Sequence, residues 1–256
     1  MKIVVCVKWV GSVSDDIEFD KSNRHVDVDY LDFSLNEWDA AATAEAIRIR
    51  DEIGGDSEVV VITVGDDETK DVLIQCLAMG ANRAVRVENE DLDIVDPISI
   101  ARLLSPTIES ESPDLVLCGA QSSDSSQGST GAALAGFLNL PCLTLVTNIN
   151  YDINSKESTL HRELEGGTIE ITKLHGPGVL TIQTGSIEPR YVTIRAIQEA
   201  KKSSIATIPS TSTNDFHRGF TITSMDIPHH ERAELIQGGA SAIATQIVDL
   251  IKGVTE

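Results

Sequence analysis

From its start to about residue 147, the chain alternates short apolar runs with longer segments in which apolar residues recur every three or four positions. Five runs are of strand length and almost wholly apolar: Lys2 to Val7, Glu58 to Val64, Ala84 to Val87, Asp114 to Cys118 and Cys142 to Val146. Strands that are buried on both faces have this composition, and strands that alternate with helices form βαβ units. We predict an α/β fold with a doubly wound, five-stranded parallel sheet in the Rossmann-like order 3-2-1-4-5.

Four helices are predicted between these strands: Trp38 to Ile53, Asp67 to Met79, Pro97 to Ser110 and Ser129 to Leu138. The first two are followed by glycine, and the third begins with proline, which suits the first turn of a helix. Because proline lacks a backbone N–H, we expect Pro106 to end or kink the third helix.

The pattern changes after residue 147 to that of an antiparallel β extension. Strands are predicted at Asn148 to Asn154, Leu160 to Leu164, Thr168 to Leu174 and Gly178 to Gln183. Beyond Lys202 no clear period is present until an amphipathic helix at Ala240 to Ile251. We predict a nucleotide-binding domain over residues 1–202, which includes the β extension, and an extended arm with a terminal helix over residues 203–256 that orders on a partner surface.

The charge balance excludes one large class of partner. The 256 residues contain 20 Lys and Arg against 40 Asp and Glu, a net charge of −20, and aromatic residues make up 4%. Such a field repels a phosphate backbone, and few rings are present to stack on bases, so we expect no nucleic-acid partner. No apolar run reaches the length of a membrane span, and the first strand begins at Lys2 without a cleavable leader, so we expect no membrane insertion and a cytoplasmic location.

The residue types that bind metals or perform acid–base catalysis are scattered. Cys6, Cys76, Cys118 and Cys142 each lie in an apolar segment, which favours reduced core thiols over metal ligands. The adjacent pair His229-His230 favours an exposed arm position over a metal site, because neighbouring residues point in different directions. We expect no metal and no catalytic acid–base pair.

The candidate binding site lies at the carboxyl ends of the predicted strands, where open α/β sheets bind ligands. After the fourth strand comes Gly119 to Gly131, a run of small and hydroxyl residues that leads into a helix. Backbone N–H groups at such a helix start can bind a phosphate, but the segment has neither a P-loop lysine nor a GxGxxG pattern. A flexible Ser/Gly loop is an equally weighted reading. Asn36, at another helix start, can cap that helix or bind a ligand, and capping is the more common role.

Four segments resemble the β subunit of the electron-transfer flavoprotein family. These are Lys2 to Lys8, Ala78 to Ala84, Arg162 to Gly167, and Glu188 to Tyr191 followed by Ala200-Lys201-Lys202. They occur in the family's order and at its spacing, and the resemblance covers essentially the whole chain. The resemblance implies a non-catalytic subunit of a heterodimer, with AMP as a structural ligand in this chain and FAD mainly on the α subunit. It further implies electron transfer from acyl-CoA or similar dehydrogenases to a quinone reductase.

The resemblance also assigns residues. Those implied to contact the nucleotide are Cys6, Asn36, Glu37, Trp38, Asp39, Val64, Gly119, Ala120, Gln121, Ser122, Ser123, Asp124, Ser125, Ser126, Gln127, Gly128, Ser129 and Thr130. Those implied to face the flavin domain or a redox partner are Glu163, Glu188, Pro189, Arg190 and Tyr191. The family usually has Lys or Arg where this chain has Ala120, so the implied phosphate site lacks that cation.

Two alternatives remain open. In electron-bifurcating relatives a second FAD replaces AMP, and those relatives usually carry Val at the position of Glu188, which favours AMP here. A free-standing adenine-nucleotide sensor that resembles universal stress proteins would account for the first 147 residues, but for neither the β extension nor the arm.

Overall fold

A computed structural model describes residues 1–13, 17–89, 96–185, 187–210, 219–228 and 235–255. It divides into two compact units, Met1–Ser224 and Met225–Glu256. His229 and His230 lie outside the described residues.

The strands, in chain order, are β1 (Lys2–Cys6), β2 (Trp9–Val13), β3 (Leu31–Leu35), β4 (Glu58–Gly65), β5 (Arg83–Glu88), β6 (Leu115–Gly119), β7 (Cys142–Asp152), β8 (Glu157–Glu163), β9 (Ile169–His175), β10 (Gly178–Ile182) and β11 (Ala206–Pro209). The helices are α1 (Glu37–Ile53), α2 (Lys70–Met79), α3 (Pro97–Glu111), α4 (Thr130–Leu138), α5 (Ile194–Ala200) and α6 (Ala240–Thr255).

The main sheet confirms the α/β class and corrects the strand order. Within the described residues it has nine strands in the order β11-β5-β4-β1-β6-β10-β7-β8-β9. The predicted neighbours β5-β4-β1-β6 are confirmed and are all parallel. The prediction that the Cys142 strand lies next to β6 was wrong, because β10 pairs in parallel with both β6 and β7.

Strand β10 was assigned to an antiparallel hairpin, and it is instead a central strand. All five of its residues are buried, as expected for a parallel strand covered on both faces. Gly178 opens the strand where a Cβ would lie 2.6 Å from Leu174 Cδ2. A side chain at residue 178 would therefore collide with Leu174 where the chain enters the middle of the sheet.

The predicted β extension is confirmed as the antiparallel set β7, β8 and β9. The two runs predicted from Cys142 and from Asn148 form one continuous strand, β7, which is parallel to β10 at its start and antiparallel to β8 from Val146 onwards. A register shift interrupts its pairing with β10, and Leu145 adopts a left-handed φ of 58° there. The hydroxyl of Thr181 accepts the Leu145 N–H at 3.0 Å, which fixes this irregular turn of the strand.

Two apolar layers cover the main sheet. Alternate residues of β1 point to opposite faces: Ile3 and Val5 pack with α1 and α2, whereas Val4 and Cys6 pack with α3 and α4. A fully buried branched side chain in such a layer contributes about 1.5–3 kcal/mol. The predicted burial of cysteines is confirmed for Cys6, Cys76 and Cys118, and Cys142 is half-buried.

The four predicted helices are confirmed, with one correction. Pro106 does not end α3, which continues to Glu111. Proline cannot donate to the carbonyl of Arg102, four residues earlier, and the Ser105 hydroxyl donates to that oxygen at 3.1 Å. A neighbouring hydroxyl therefore replaces the missing backbone hydrogen bond.

Three strands, β2, β3 and β11, were not predicted from the sequence. β2 and β3 form an antiparallel hairpin, in which Trp9 stacks on Phe33 with ring centroids 4.1 Å apart. β11, in the segment read as an aperiodic arm, pairs in parallel with β5 at the edge of the main sheet. The predicted terminal helix is confirmed as α6.

Candidate functional site

The loop from Gly119 to Ser129 follows β6 at the carboxyl edge of the parallel sheet. Here β1 lies between β4 and β6. The chain adds β4 and β5 on one side of β1 and then returns to add β6 on the other side. The crevice outside such a reversal of strand order is the usual ligand site of open α/β sheets. The structure brings Asn36 and Asp39 of the α1 start against this loop.

Asp39 joins the ends of β1 and β6. Its Oδ2 accepts the backbone N–H of Lys8 at 2.8 Å, and its Oδ1 accepts that of Gly119 at 2.9 Å. Burial raises the pKa of this carboxyl to about 6, although the hydrogen bonds from Asn36, Lys8 and Gly119 favour the charged form. The carboxylate therefore fixes the geometry of the site at an electrostatic cost.

Asn36 fixes the loop instead of capping a helix. It occupies the N-cap position of α1 but makes no side-chain capping bond. Its Nδ2 donates to the carbonyl of Gln121 at 2.8 Å, and its Oδ1 accepts the N–H of Ser123 at 3.3 Å. The interpretation of Asn36 as a helix cap was therefore wrong, and both ends of its buried amide hold the loop backbone.

Lys8 supplies the cation that the loop sequence lacks. Its Nζ lies 2.7 Å from Asp124 Oδ1, 3.3 Å from Ser122 Oγ and 3.5 Å from Ser125 Oγ. Burial is the largest single influence on the pKa of Asp124 and raises it. The Lys8 ammonium, together with hydrogen bonds from the Ser122 hydroxyl and the Ser125 N–H, outweighs burial, so the pKa of that carboxyl is lowered. Sequence reasoning missed Lys8, because it follows β1 and precedes the loop by more than 100 positions.

The second half of the loop leads into α4. Ser126 and Gly128 both have a left-handed φ, of 50° and 59°. A Cβ on Gly128 would lie 3.2 Å from the carbonyl oxygen of Ala120, so the loop folds closely on itself. Ser129 makes no side-chain capping bond to α4, and its hydroxyl donates to the Gln127 carbonyl. The first N–H groups of α4 are thus left without a side-chain cap.

Comparisons with known proteins identify the family. Residues 25–213 match the model of the electron transfer flavoprotein domain. The electron transfer flavoprotein subunit beta of Methylophilus methylotrophus is 37% identical over 98% of both chains. The chain belongs to the electron-transfer flavoprotein β-subunit family. The mitochondrial β subunit of Oryza sativa subsp. japonica is 32% identical over 98% of both chains, and the β subunit of Bacillus subtilis is 31% identical over 88% of both.

The residues implied to contact a nucleotide in this flavoprotein family are only partly joined in one network. Asn36 and Asp39 are hydrogen-bonded directly to the loop, at Gly119, Gln121 and Ser123. Cys6 pairs in register with Cys118 on β6 and with Ile62 on β4, two residues before the half-buried Val64. Glu37 is exposed in the first turn of α1.

Trp38 carries an unsatisfied donor beside the loop. Its indole Nε1 is buried and has no hydrogen-bond partner within the described residues. A Cβ on Gly119 would lie 2.7 Å from Trp38 Cβ, so the two residues are in close contact. A buried N–H without a partner costs free energy, which a ligand acceptor or a water can recover.

The donor set suits a small anion. A small anion can be held by Lys8, by the hydroxyls of the loop and by the N–H groups at the α4 start. In the described part of the chain, no group of three or more His, Cys, Asp or Glu side chains is arranged to hold a metal ion. The groups that meet at the loop are therefore those of an anion site.

The second set of implied residues is exposed and lies outside this network. Glu163 ends β8, and Glu188 to Tyr191 form the segment before α5. Arg190 is paired with Asp51 of α1 at 2.6 Å, and 92% of the surface of Tyr191 is exposed. No described helix is both long and apolar enough to cross a membrane.

Proposed function

We propose that the chain is the β subunit of a heterodimeric electron-transfer flavoprotein and binds AMP as a structural ligand. The family assignment over most of the chain supports the first part. The observation that carries the second part is the framework of Asp39, Asn36 and Lys8, which is hydrogen-bonded to the Gly119 to Ser129 loop at Gly119, Gln121 and Asp124. In this proposal, the framework forms the anion site before the ligand binds.

The loop residues and Lys8 hold the AMP phosphate, and Asn36 to Asp39 with Val64 bind the nucleoside. Trp38 Nε1 is the buried donor that the nucleotide satisfies, directly or through water. Gly119 must remain glycine, because a Cβ there would overlap Asp39 Oδ1. AMP thus joins β1, β6, α1 and α4, and it stabilises the fold without being a reactant.

The α subunit carries the redox-active FAD, and bound FAD supplies the electron transfer. Glu163 and the segment Glu188 to Tyr191 face the flavin domain or a redox partner, which their exposure permits. Electrons pass from acyl-CoA or similar dehydrogenases to a quinone reductase, in the cytoplasm. The chain itself catalyses no reaction.

Within the predicted arm, residues 203–256, the part beyond β11 docks on the α subunit. Its helix α6 exposes Ile247, Val248 and Leu250, by 42%, 46% and 61%. The helix has apolar residues at helical spacing, and an exposed apolar face of this kind is typical of a protein-interaction site.

Mass spectrometry of the small molecules released by denaturation tests this function. The full chain is purified alone and with a co-expressed α subunit. AMP in the β chain, with FAD only in the heterodimer, is the expected result. FAD released from the β chain alone would support an electron-bifurcating subunit. ATP in the β chain, together with failure to form a flavin-bearing heterodimer, would contradict the proposal and favour an adenine-nucleotide sensor.

A further inference from the structure

Lys8 and Asp124 form an ion pair over a loop that has no cation of its own. Between Gly119 and Thr130 the sequence contains no Lys, Arg or His and one acid, Asp124. Lys8 Nζ contacts Asp124, Ser122 and Ser125, three side chains of this loop. The backbone of Lys8 is itself fixed by Asp39, so the ammonium group is directed to the loop from a rigid strand end.

The pair is accessible, as a ligand site requires. The side chain of Lys8 is 47% exposed and that of Asp124 is 28% exposed. Ser122 also donates to Asp124 Oδ1 at 2.7 Å, so the carboxylate organises both the ammonium and the hydroxyl. An anion that reaches Lys8 therefore meets a cation that already has a negative partner.

The surroundings of the pair are acidic. Asp39 accepts the backbone N–H of Lys8, Glu37 is exposed at the α1 start, and Asp66, Asp67 and Glu68 follow the neighbouring strand β4. Arg86, the cation close to that last group, is paired with Asp67 and Glu88. The whole chain carries a net charge of −20. Each additional phosphate on a ligand is therefore repelled.

These observations bear on how the site distinguishes adenine nucleotides with different numbers of phosphates, an inference that rests on the proposed function. We propose that Lys8 is the phosphate-recognising cation of the nucleotide site and that Asp124 is its built-in counter-ion. Lys8 provides one positive charge for one phosphate group. Asp124 keeps Lys8 in position and limits the negative charge that the site accepts, so that adenosine monophosphate is bound in preference to the diphosphate and triphosphate.

Calorimetric titration of the full chain with AMP, ADP and ATP tests the assignment. The chain is first freed of nucleotide by unfolding and refolding, in the complex with its α subunit if the complex is needed for solubility. Lys8→Met removes the charge at similar length, Lys8→Arg keeps it, and Asp124→Asn removes the counter-ion at constant size. Lys173→Met and Asp152→Asn make the same charge changes on the β extension.

The wild type is expected to bind AMP most tightly. Lys8→Met should weaken AMP binding about 10- to 100-fold, the range for loss of a hydrogen bond to a charged group, and Lys8→Arg should restore most of it. Asp124→Asn should reduce the ratio of the AMP affinity to the ATP affinity about tenfold. The two control variants should leave the affinities and this ratio unchanged.

The outcomes separate the two levels of the proposal. If the wild type binds no adenine nucleotide, the proposed function fails and this inference fails with it. If the wild type binds AMP and Lys8→Met binds it equally well while its thermal unfolding is unchanged, only the role of Lys8 is overturned. An unchanged preference for AMP over ATP in Asp124→Asn would overturn the role of the counter-ion.

Discussion

The carboxylate of Asp39 accepts the backbone N–H of Gly119, 80 positions later in the chain, at 2.9 Å. This bond connects the first turn of α1 to the last residue of β6. Gly119 can approach so closely because it has no side chain. The pair therefore makes the fold and the candidate site depend on each other.

Gly119→Ala is expected to destabilise the protein by about 1–3 kcal/mol, the cost of overpacking a filled interior. The added Cβ would overlap Asp39 Oδ1 and lie 2.7 Å from Trp38 Cβ. Unfolding in denaturant measures the effect, and reduced AMP retention should accompany it. Gly136→Ala in α4 is the matched control, because its Cβ would have no neighbour within 4 Å. Equal stability of the two variants would contradict the prediction.

The order of the strands around this pair was predictable only in part. Apolar runs located β1, β4, β5 and β6, since a strand buried on both faces leaves a clear composition. The position of β10 between β6 and β7 could not be predicted from composition. An apolar strand of five residues has the same sequence pattern whether it pairs in parallel or antiparallel. Strand β11 was missed because it is short and exposed at an edge.

The candidate site was predictable where it follows strand ends, and not where it depends on side-chain reach. The loop from Gly119 was found from its small residues and its place before a helix. The roles of Asn36 and Lys8 were not, because each acts on the loop from a distant part of the sequence. The usual preference for Asn at a helix N-cap predicted a local bond, and the tertiary contact replaced it.

Asp39 is expected to make the protein less stable as the pH rises from about 4 to 6. Its folded pKa of about 6 exceeds the ordinary value of 3.8, so in this window the folded state holds a proton that the unfolded state has lost. The difference corresponds to about 3 kcal/mol, complete above pH 6 and absent below pH 4. Denaturant unfolding across this range measures the slope.

Asp39→Asn should remove that slope, although the variant loses one acceptor and is less stable throughout. Comparison of slopes rather than absolute stabilities separates these two effects. The exposed Asp71 in the first turn of α2 provides the control, Asp71→Asn. A wild-type slope that is unchanged in Asp39→Asn would show that Asp39 is not the titrating group.

The contribution of Glu111 to stability is expected to have the opposite pH dependence, in a lower pH range. The bidentate hydrogen bonds from Arg83, at 2.7 and 3.1 Å, and that from Lys2 lower the pKa of Glu111 to about 2 from the ordinary value of 4.5. Its contribution to stability is therefore present above pH 4.5 and is lost as the pH falls towards 2. Glu111→Gln should flatten acid unfolding in this range, whereas Glu109→Gln, on the exposed side of the same helix, should not. Parallel acid-unfolding curves for the wild type and Glu111→Gln would refute the assignment.

Tyr191→Ala should weaken assembly or partner binding and leave the fold intact. The side chain is 92% exposed, so its removal is expected to change the free energy of unfolding by less than about 0.5 kcal/mol. A large exposed aromatic ring in the segment from Glu188 is, by contrast, the kind of residue that contributes most to a protein interface. Sedimentation of the heterodimer and electron transfer from a dehydrogenase measure the two functional effects.

The matched control for this change is Tyr30→Ala, because Tyr30 is 50% exposed and lies just before β3. If Tyr191 faces a partner, its truncation weakens association about tenfold or more, while the control has little effect. A Tyr191→Ala protein that assembles and transfers electrons like the wild type would remove the main support for a partner-facing role of this segment. Arg190→Ala should then be tested in the same way, since its ion pair with Asp51 is exposed and contributes little to stability.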